Sequence, residues 1–245
     1  LWRAALVGAL VLGLCGLAVA AAGVGSRILP RRFTSQQQHQ IEAWDVGQRW
    51  RVLPEGTIFP ATVPYELPSL VLYGSKDLSL TARRLGVSAP SNCSKGAAPA
   101  GAKILDGFGC TALLRATYTD STGSMVATIG IAVLPSAAAA DAAESRLASA
   151  APGDQPYTIR PARVPGTLAS RFDGAQRQVS WNTHAGPYVI MTTVGYTDGR
   201  PRVRVAADHY LDQEMKSLAH GLGDGASDVL GKPPPMPRCP GTPGC

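Results

Sequence analysis

Between Ala4 and Ser26 the chain carries no charged residue. As a helix this run would extend roughly 34 Å at ~1.5 Å per residue. The hydrocarbon core of a bilayer is about 30 Å thick, so the run is long enough to span with a little tilt. A soluble core helix is rarely apolar on every face over this length. Two fates remain open. Length favours a retained transmembrane anchor, in contact with membrane lipid through residues 4–26. Ala18, Ala20 and Ala22 supply small-x-small patterns, which favour a signal peptide cut after Ala20 or Ala22 and a secreted product. Cys15 follows Leu14 where a lipid-attachment site needs a small residue, so no lipid anchor is expected there.

The flanking charges and the cysteines disagree about orientation. Arg27, Arg31 and Arg32 follow the run and Arg3 precedes it. Taken alone, the positive-inside rule would put the downstream chain in the cytoplasm. Behind the run, however, come four cysteines: Cys93, Cys110, Cys239 and Cys245. An even number after an export-type leader reads as two disulfides formed in an oxidising compartment. Three pairings exist, and proximity favours Cys93–Cys110 and Cys239–Cys245. The absence of a C-x-x-C and of a nearby histidine at ligand spacing argues against a metal. The cysteines outweigh the arginines, and the domain is expected outside the cytoplasm.

Of 23 basic residues five are Lys and 18 are Arg, and the net charge is +6. The arginines are scattered, with no basic tract and no aromatic interleaving, so no nucleic-acid partner is expected. Mild attraction to anionic lipid or wall polymer suits such a surface better.

Along the chain, Thr34 and Ser35 each precede a glutamine by three residues, a capping-box pattern. Residues 27–50 are therefore expected to hold a short juxtamembrane stalk helix. Pro54, Pro60, Pro64 and Pro68 interrupt residues 51–75, which fits extended or edge structure. LSLTARRLGV (78–87) reads as the start of a helical turn, and the stretch around Cys93 as a loop. The strongest fold signal is a hairpin, LLRATYT (113–119) and MVATIGIAVL (125–134), turning at Gly123. Met125, Ala127, Ile129, Ile131 and Val133 line one face of it. Ser136 then caps an alanine-rich helix. RQVSWN (177–182) and PYVIMTTVGYT (187–197) form a second hairpin with THAG as its turn. A last helix starts near Ala207 with the stripe Leu211, Met215, Leu218, Leu222, and Gly221, Gly223 and Gly225 read as its end.

Hairpin, helix, hairpin, helix predicts an α+β fold: an N-terminal transmembrane helix, then one antiparallel-sheet domain with helices on one face. The expected divisions are 1–26 anchor or signal peptide, 27–50 stalk, 51–230 domain, and 231–245 a Pro/Gly-rich, disulfide-stapled tail.

The chain lacks G-x-S-x-G, a P-loop, a strand-borne G-x-G-x-x-G and H-E-x-x-H. His39, His184, His209 and His220 read as solvated, as do Asp208, Asp212 and Glu214. No catalytic residue, metal or cofactor is expected. Tyr118, Trp181, Tyr188 and Tyr196 fall on strands and are the candidate ligand-binding residues, in a groove between sheet and helix.

The stretch from Gly109-Cys110 through RATYTD, VATIGIAVLP and the alanine helix resembles exported or membrane-anchored actinobacterial proteins of uncharacterised function. The strand–Pro–Ala-helix step with the second hairpin and last helix is similar to PsbP-like and sensor-type extracytoplasmic domains. The resemblance covers about residues 105–225 and implies a compartment and a fold, with no functional residue carried over. The expectation is a non-enzymatic, membrane-anchored binding or interaction module of the bacterial cell envelope. Its partner would be an envelope protein or a wall-derived ligand. The alternatives are an envelope hydrolase whose site assembles only in three dimensions, or a structural subunit of an envelope complex.

Overall fold

The computed structural model describes residues 33–68, 77–150, 159–202 and 209–232, the side chains at 150 and 209–212 excepted. The apolar run 4–26, the Cys239–Cys245 pair and Asp208 lie outside the described residues, as do the side chains of His209, Leu211 and Asp212. No helix among the described residues is long and apolar enough to cross a membrane. Contacts divide the chain into two units: Ala43–Pro233, and Leu1–Glu42 with Pro234–Cys245.

Helix α1 (Ser35–Val52) begins as its sequence suggests. Gln37 N donates to Thr34 Oγ1 at 3.2 Å and Thr34 N to Gln37 Oε1 at 3.0 Å, a reciprocal cap at Thr34. Within the larger unit, Val46 enters the core and its carbonyl accepts the Tyr188 hydroxyl. The helix expected to form a stalk up to residue 50 therefore contributes its last turns to the domain.

Six strands form one antiparallel sheet: β1 (Thr62–Leu67), β2 (Leu78–Ser91), β3 (Ala112–Thr119), β4 (Met125–Val133), β5 (Arg177–Ala185) and β6 (Tyr188–Tyr196), in the order β1-β2-β3-β4-β6-β5. The fold is α+β. Both expected hairpins are present, and Gly123 takes φ 75° in the first turn. The Pro-containing β1 is an edge strand with Pro64 turned outward, where no ladder bond is lost.

The elements between and around the strands differ from expectation in five places. Within the proline-interrupted stretch expected to be extended, Glu55–Ile58 forms a single helical turn, α2. Residues 78–87 are strand: Leu78, Leu80 and Ala82 pair across to Leu67, Tyr65 and Val63, so pairing on β1 overrides the local helical reading. The stretch around Cys93 is two helices, α3 (Cys93–Gly96) and α4 (Pro99–Gly107). THAG is not the second turn; His184 belongs to β5, and the chain reverses at Gly186-Pro187. Helix α6 (His209–Gly231) runs on through Gly221, Gly223 and Gly225.

Helices also cover both faces of the sheet, not one. On one face α6 lays Met215, Leu218 and Leu222 against Ile129, Ile131 and Ile190. On the other, α4 and α5 (Ala137–Ala150) pack Leu105, Ala140, Ala143 and Leu147 over Leu113, Ala132 and Met191. Every residue of β4 is buried as a result. Two-sided burial removes the polar alternation that a one-sided sheet would show, which is why MVATIGIAV is apolar apart from Thr128, whose hydroxyl is hydrogen-bonded to Thr117 and accepts Ala162 N. Ser136 caps α5 as expected, with Ala139 N donating to its Oγ at 3.1 Å.

Cys93 and Cys110 are disulfide-bonded. The bond ties the start of α3 to the residues just before β3, beneath the core formed with α4 and α5.

Candidate functional site

All four aromatic candidates share the sheet face that α6 covers. The structure does not bring them together as one groove. Tyr118 and Tyr188 are 1% and 0% exposed. Tyr118 Oη donates to Pro60 O at 3.0 Å, and burial raises its phenol above the ordinary range. Tyr188 Oη donates to Val46 O and accepts from Trp50 N at 3.4 Å. Each hydroxyl thus fixes a peripheral segment onto the sheet, as buried tyrosines usually do. Trp181 is half-buried and stacks on His220, with ring centroids 4.7 Å apart. Tyr196 closes β6, and the Arg200 guanidinium lies 4.4 Å over its ring.

Tyr118 does border a space. A partly open apolar cavity of about 110 Å³ lies between the sheet and α6, walled by Ile58, Pro60, Val63, Tyr118, Ile129 and Leu222. Its walls come from helix α2 (Glu55–Ile58) and the residues after it, from β1, β3 and β4, and from α6. Gly225 and Ala226 form the α6 side, where small residues leave the room. Enclosed apolar cavities of roughly 150 Å³ stay dry and accept benzene or xenon. This one suits a smaller apolar group.

A buried polar cluster involves the same strand and helix. Tyr65 on β1 is 3% exposed and its hydroxyl has no hydrogen-bond partner. Burial, then the charges of Glu214 and Asp120, raise its phenol. Asp120, 2% exposed at the end of β3, accepts Met125 N at 2.7 Å and Thr122 N at 3.0 Å, so its carboxylate organises the first hairpin turn. Partial burial, then Asp120, raise the Glu214 carboxyl. Ionising Glu214 therefore costs more in the fold than in the unfolded chain. Its favourable contribution is complete below the ordinary carboxylate range and is lost as pH rises through the raised value. Glu214→Gln is expected to raise the thermal midpoint slightly near pH 7 and to leave it unchanged near pH 3, because Glu214 is only partly screened from solvent. An equal shift at both pH values would contradict the assigned cause.

His39 sits 3.6 Å from Glu42 and is exposed; His184 sits 3.7 Å from Asp141 at the edge of β5. Among the described residues no three His, Cys, Asp or Glu side chains gather as a metal site. Sequence reasoning missed Tyr65 and the α2 wall, because neither carries a local signal of what packs against it. No family model matches the chain, and neither a curated protein nor a solved structure is found to be similar to it.

Proposed function

We propose that the chain is a membrane-anchored binding module that works on the outer side of a bacterial cell membrane and performs no chemistry of its own. Residues 4–26 would hold it in lipid, or release it after cleavage at Ala20 or Ala22. The Cys93–Cys110 bond supports an oxidising compartment. The observation that carries the binding role is the apolar cavity beside Tyr118. The recess leaves apolar wall in contact with water, and seating an apolar group there would remove that contact. Its occupant is read as the apolar end of a wall-derived ligand or a side chain of an envelope protein.

The test is a methyl-NMR titration of the full chain in detergent with benzene and with short aliphatic alcohols. Saturable shifts of the Ile58, Ile129 and Leu222 methyls are expected. Ala226→Leu, which fills the space from α6, should abolish them while the fold is kept. No saturable shift from any probe would refute the reading.

A further inference from the structure

The arginines are scattered in the sequence, but the fold gathers five of them at one corner. Before β5 the chain makes two short 3-10 turns, Leu168–Arg171 and Gly174–Gln176. Buried Ala169 and Phe172 pack this stretch against Val126 of β4. The chain that leaves β6 returns beside it. Arg202 N donates to Ala175 O at 2.9 Å, and Gln178 Nε2 donates to Pro201 O at 3.2 Å. Gly199 faces the stem of Arg171, with a Cβ position 3.5 Å from Arg171 Cβ. Arg163 joins through Asp173, whose carboxylate caps the second turn. Arg163, Arg171, Arg177, Arg200 and Arg202 thus come from separate stretches and share one corner.

Two aspartates answer this charge. Asp173 pairs with Arg163 at 2.5 Å and Asp198 with Arg200 at 2.5 Å. Asp120, at the same end of the sheet, is buried and spent on the hairpin turn. Five guanidiniums against two carboxylates leave a surplus of three positive charges, half of the chain's net +6. Burial, then the Arg202 charge, lower the Arg177 guanidinium, so the surplus repels itself. Arg163, Arg171, Arg200 and Arg202 are exposed, so an anion meets them at the surface and no cavity is required.

We propose that this arginine corner docks an anionic phosphodiester polymer of the cell wall. A guanidinium fork takes two phosphate oxygens at once. A polymer with one charge per repeat suits a surplus spread over several side chains. A folded protein partner would meet an apolar centre, because interface cores are depleted in charge. Leu168 is the one large apolar side chain left exposed among the described residues of this corner. Single-stranded nucleic acid would need open aromatic faces for its bases. Arg200 already lies 4.4 Å over the Tyr196 ring. Position argues against the chain's own membrane. Helix α1, through which the chain enters this unit, meets β6 at Tyr188. The corner lies beyond Tyr196 at the other end of that strand, about 27 Å away at ~3.4 Å per residue. The choice of a wall polymer rests on the outward placement proposed above, and the corner itself does not depend on the cavity.

The experiment titrates the full chain, in neutral detergent micelles, into fluorescently labelled poly(glycerol phosphate). Saturable binding is expected, weakening on the order of tenfold between 50 and 200 mM salt. The pair Arg171→Gln, Arg202→Gln should weaken it at least tenfold. The pair Arg51→Gln, Arg146→Gln removes the same charge from exposed positions elsewhere and should change it less than threefold. Circular dichroism of both pairs reports that the fold is kept. Polyglutamate and oligothymidylate of equal charge should bind at least tenfold more weakly. Absent or non-saturable binding, or an equal loss in both pairs, would overturn the proposal. Equal or tighter binding of polyglutamate would indicate an acidic protein, and of oligothymidylate a nucleic acid, and either would overturn the choice of polymer. Doping the micelles with phosphatidylglycerol should leave the affinity within about threefold, whereas a tenfold loss would make anionic lipid the occupant and overturn the choice of source. These readouts leave the cavity to its own titration and the outward placement to thiol labelling, so each can fail alone.

Discussion

Gly221→Ala is expected to lower the thermal midpoint by about 4–8 °C, at ~2–4 °C per kcal/mol for a domain of this size. Helix propensity alone predicts the reverse, because alanine gains about 1 kcal/mol over glycine inside a helix. Contact decides the sign. A Cβ at Gly221 would lie 2.4 Å from Tyr65 Cβ, 3.1 Å from Tyr65 Cα and 3.3 Å from Pro64 O. These atoms belong to the frame of β1 and cannot swing aside like the tip of a side chain. Helix and strand must separate, at an overpacking cost of about 3 kcal/mol, the upper part of the usual range. The net loss is then about 2 kcal/mol. Gly225→Ala supplies the contrast. Its nearest neighbour would be Val63 Cγ1 at 3.5 Å, an ordinary contact. That variant should keep or gain up to about 1 kcal/mol. Thermal unfolding followed by circular dichroism separates the two, and equal shifts would show that α6 does not lie close on β1.

Removing the Cys93–Cys110 bond is expected to have a larger effect. The two cysteines are 17 positions apart, and a closed loop of that size restricts the unfolded chain by about 3 kcal/mol in the chain-entropy account. Cys93 is 1% exposed and packs with Leu105 and Leu113. The double variant Cys93→Ala, Cys110→Ala keeps the small apolar volume and loses the link. Urea unfolding should show a lower midpoint with an unchanged slope on the native side. A loss below about 1 kcal/mol would mean that the packing of α3 and α4 already restricts this segment.

Hairpin β3–β4 and the alanine helix were legible because two runs rich in strand-forming residues, a glycine turn and a serine cap all agree over one short window. The disulfide was legible from cysteine number and spacing. What the sequence hid was set by distant partners. Gly221, Gly223 and Gly225 read as a helix end because a glycine cluster locally signals a stop. In the fold Gly223 is where Trp181 approaches, with a Cβ position only 2.0 Å from its ring. Residues 78–87 show alternation at Leu78, Leu80 and Ala82, but Arg83-Arg84 and Leu85 blur it, and only β1 and β3 on either side make it a strand. Helix α4 carried a usable signal, Pro99 at its first turn with Ala102 and Leu105 three apart on the buried side. The cavity and the arginine corner could not be read in advance, since each draws its walls from separate parts of the chain.

The proposed function requires residues 43–233 to work in an oxidising space beyond the membrane. The most direct test is alkylation of free thiols in freshly harvested, unreduced cells, followed by mass spectrometry of the peptides holding Cys93 and Cys110. Both thiols should resist the reagent until a reductant is added, and then react together. Full labelling of both before reduction would contradict the placement.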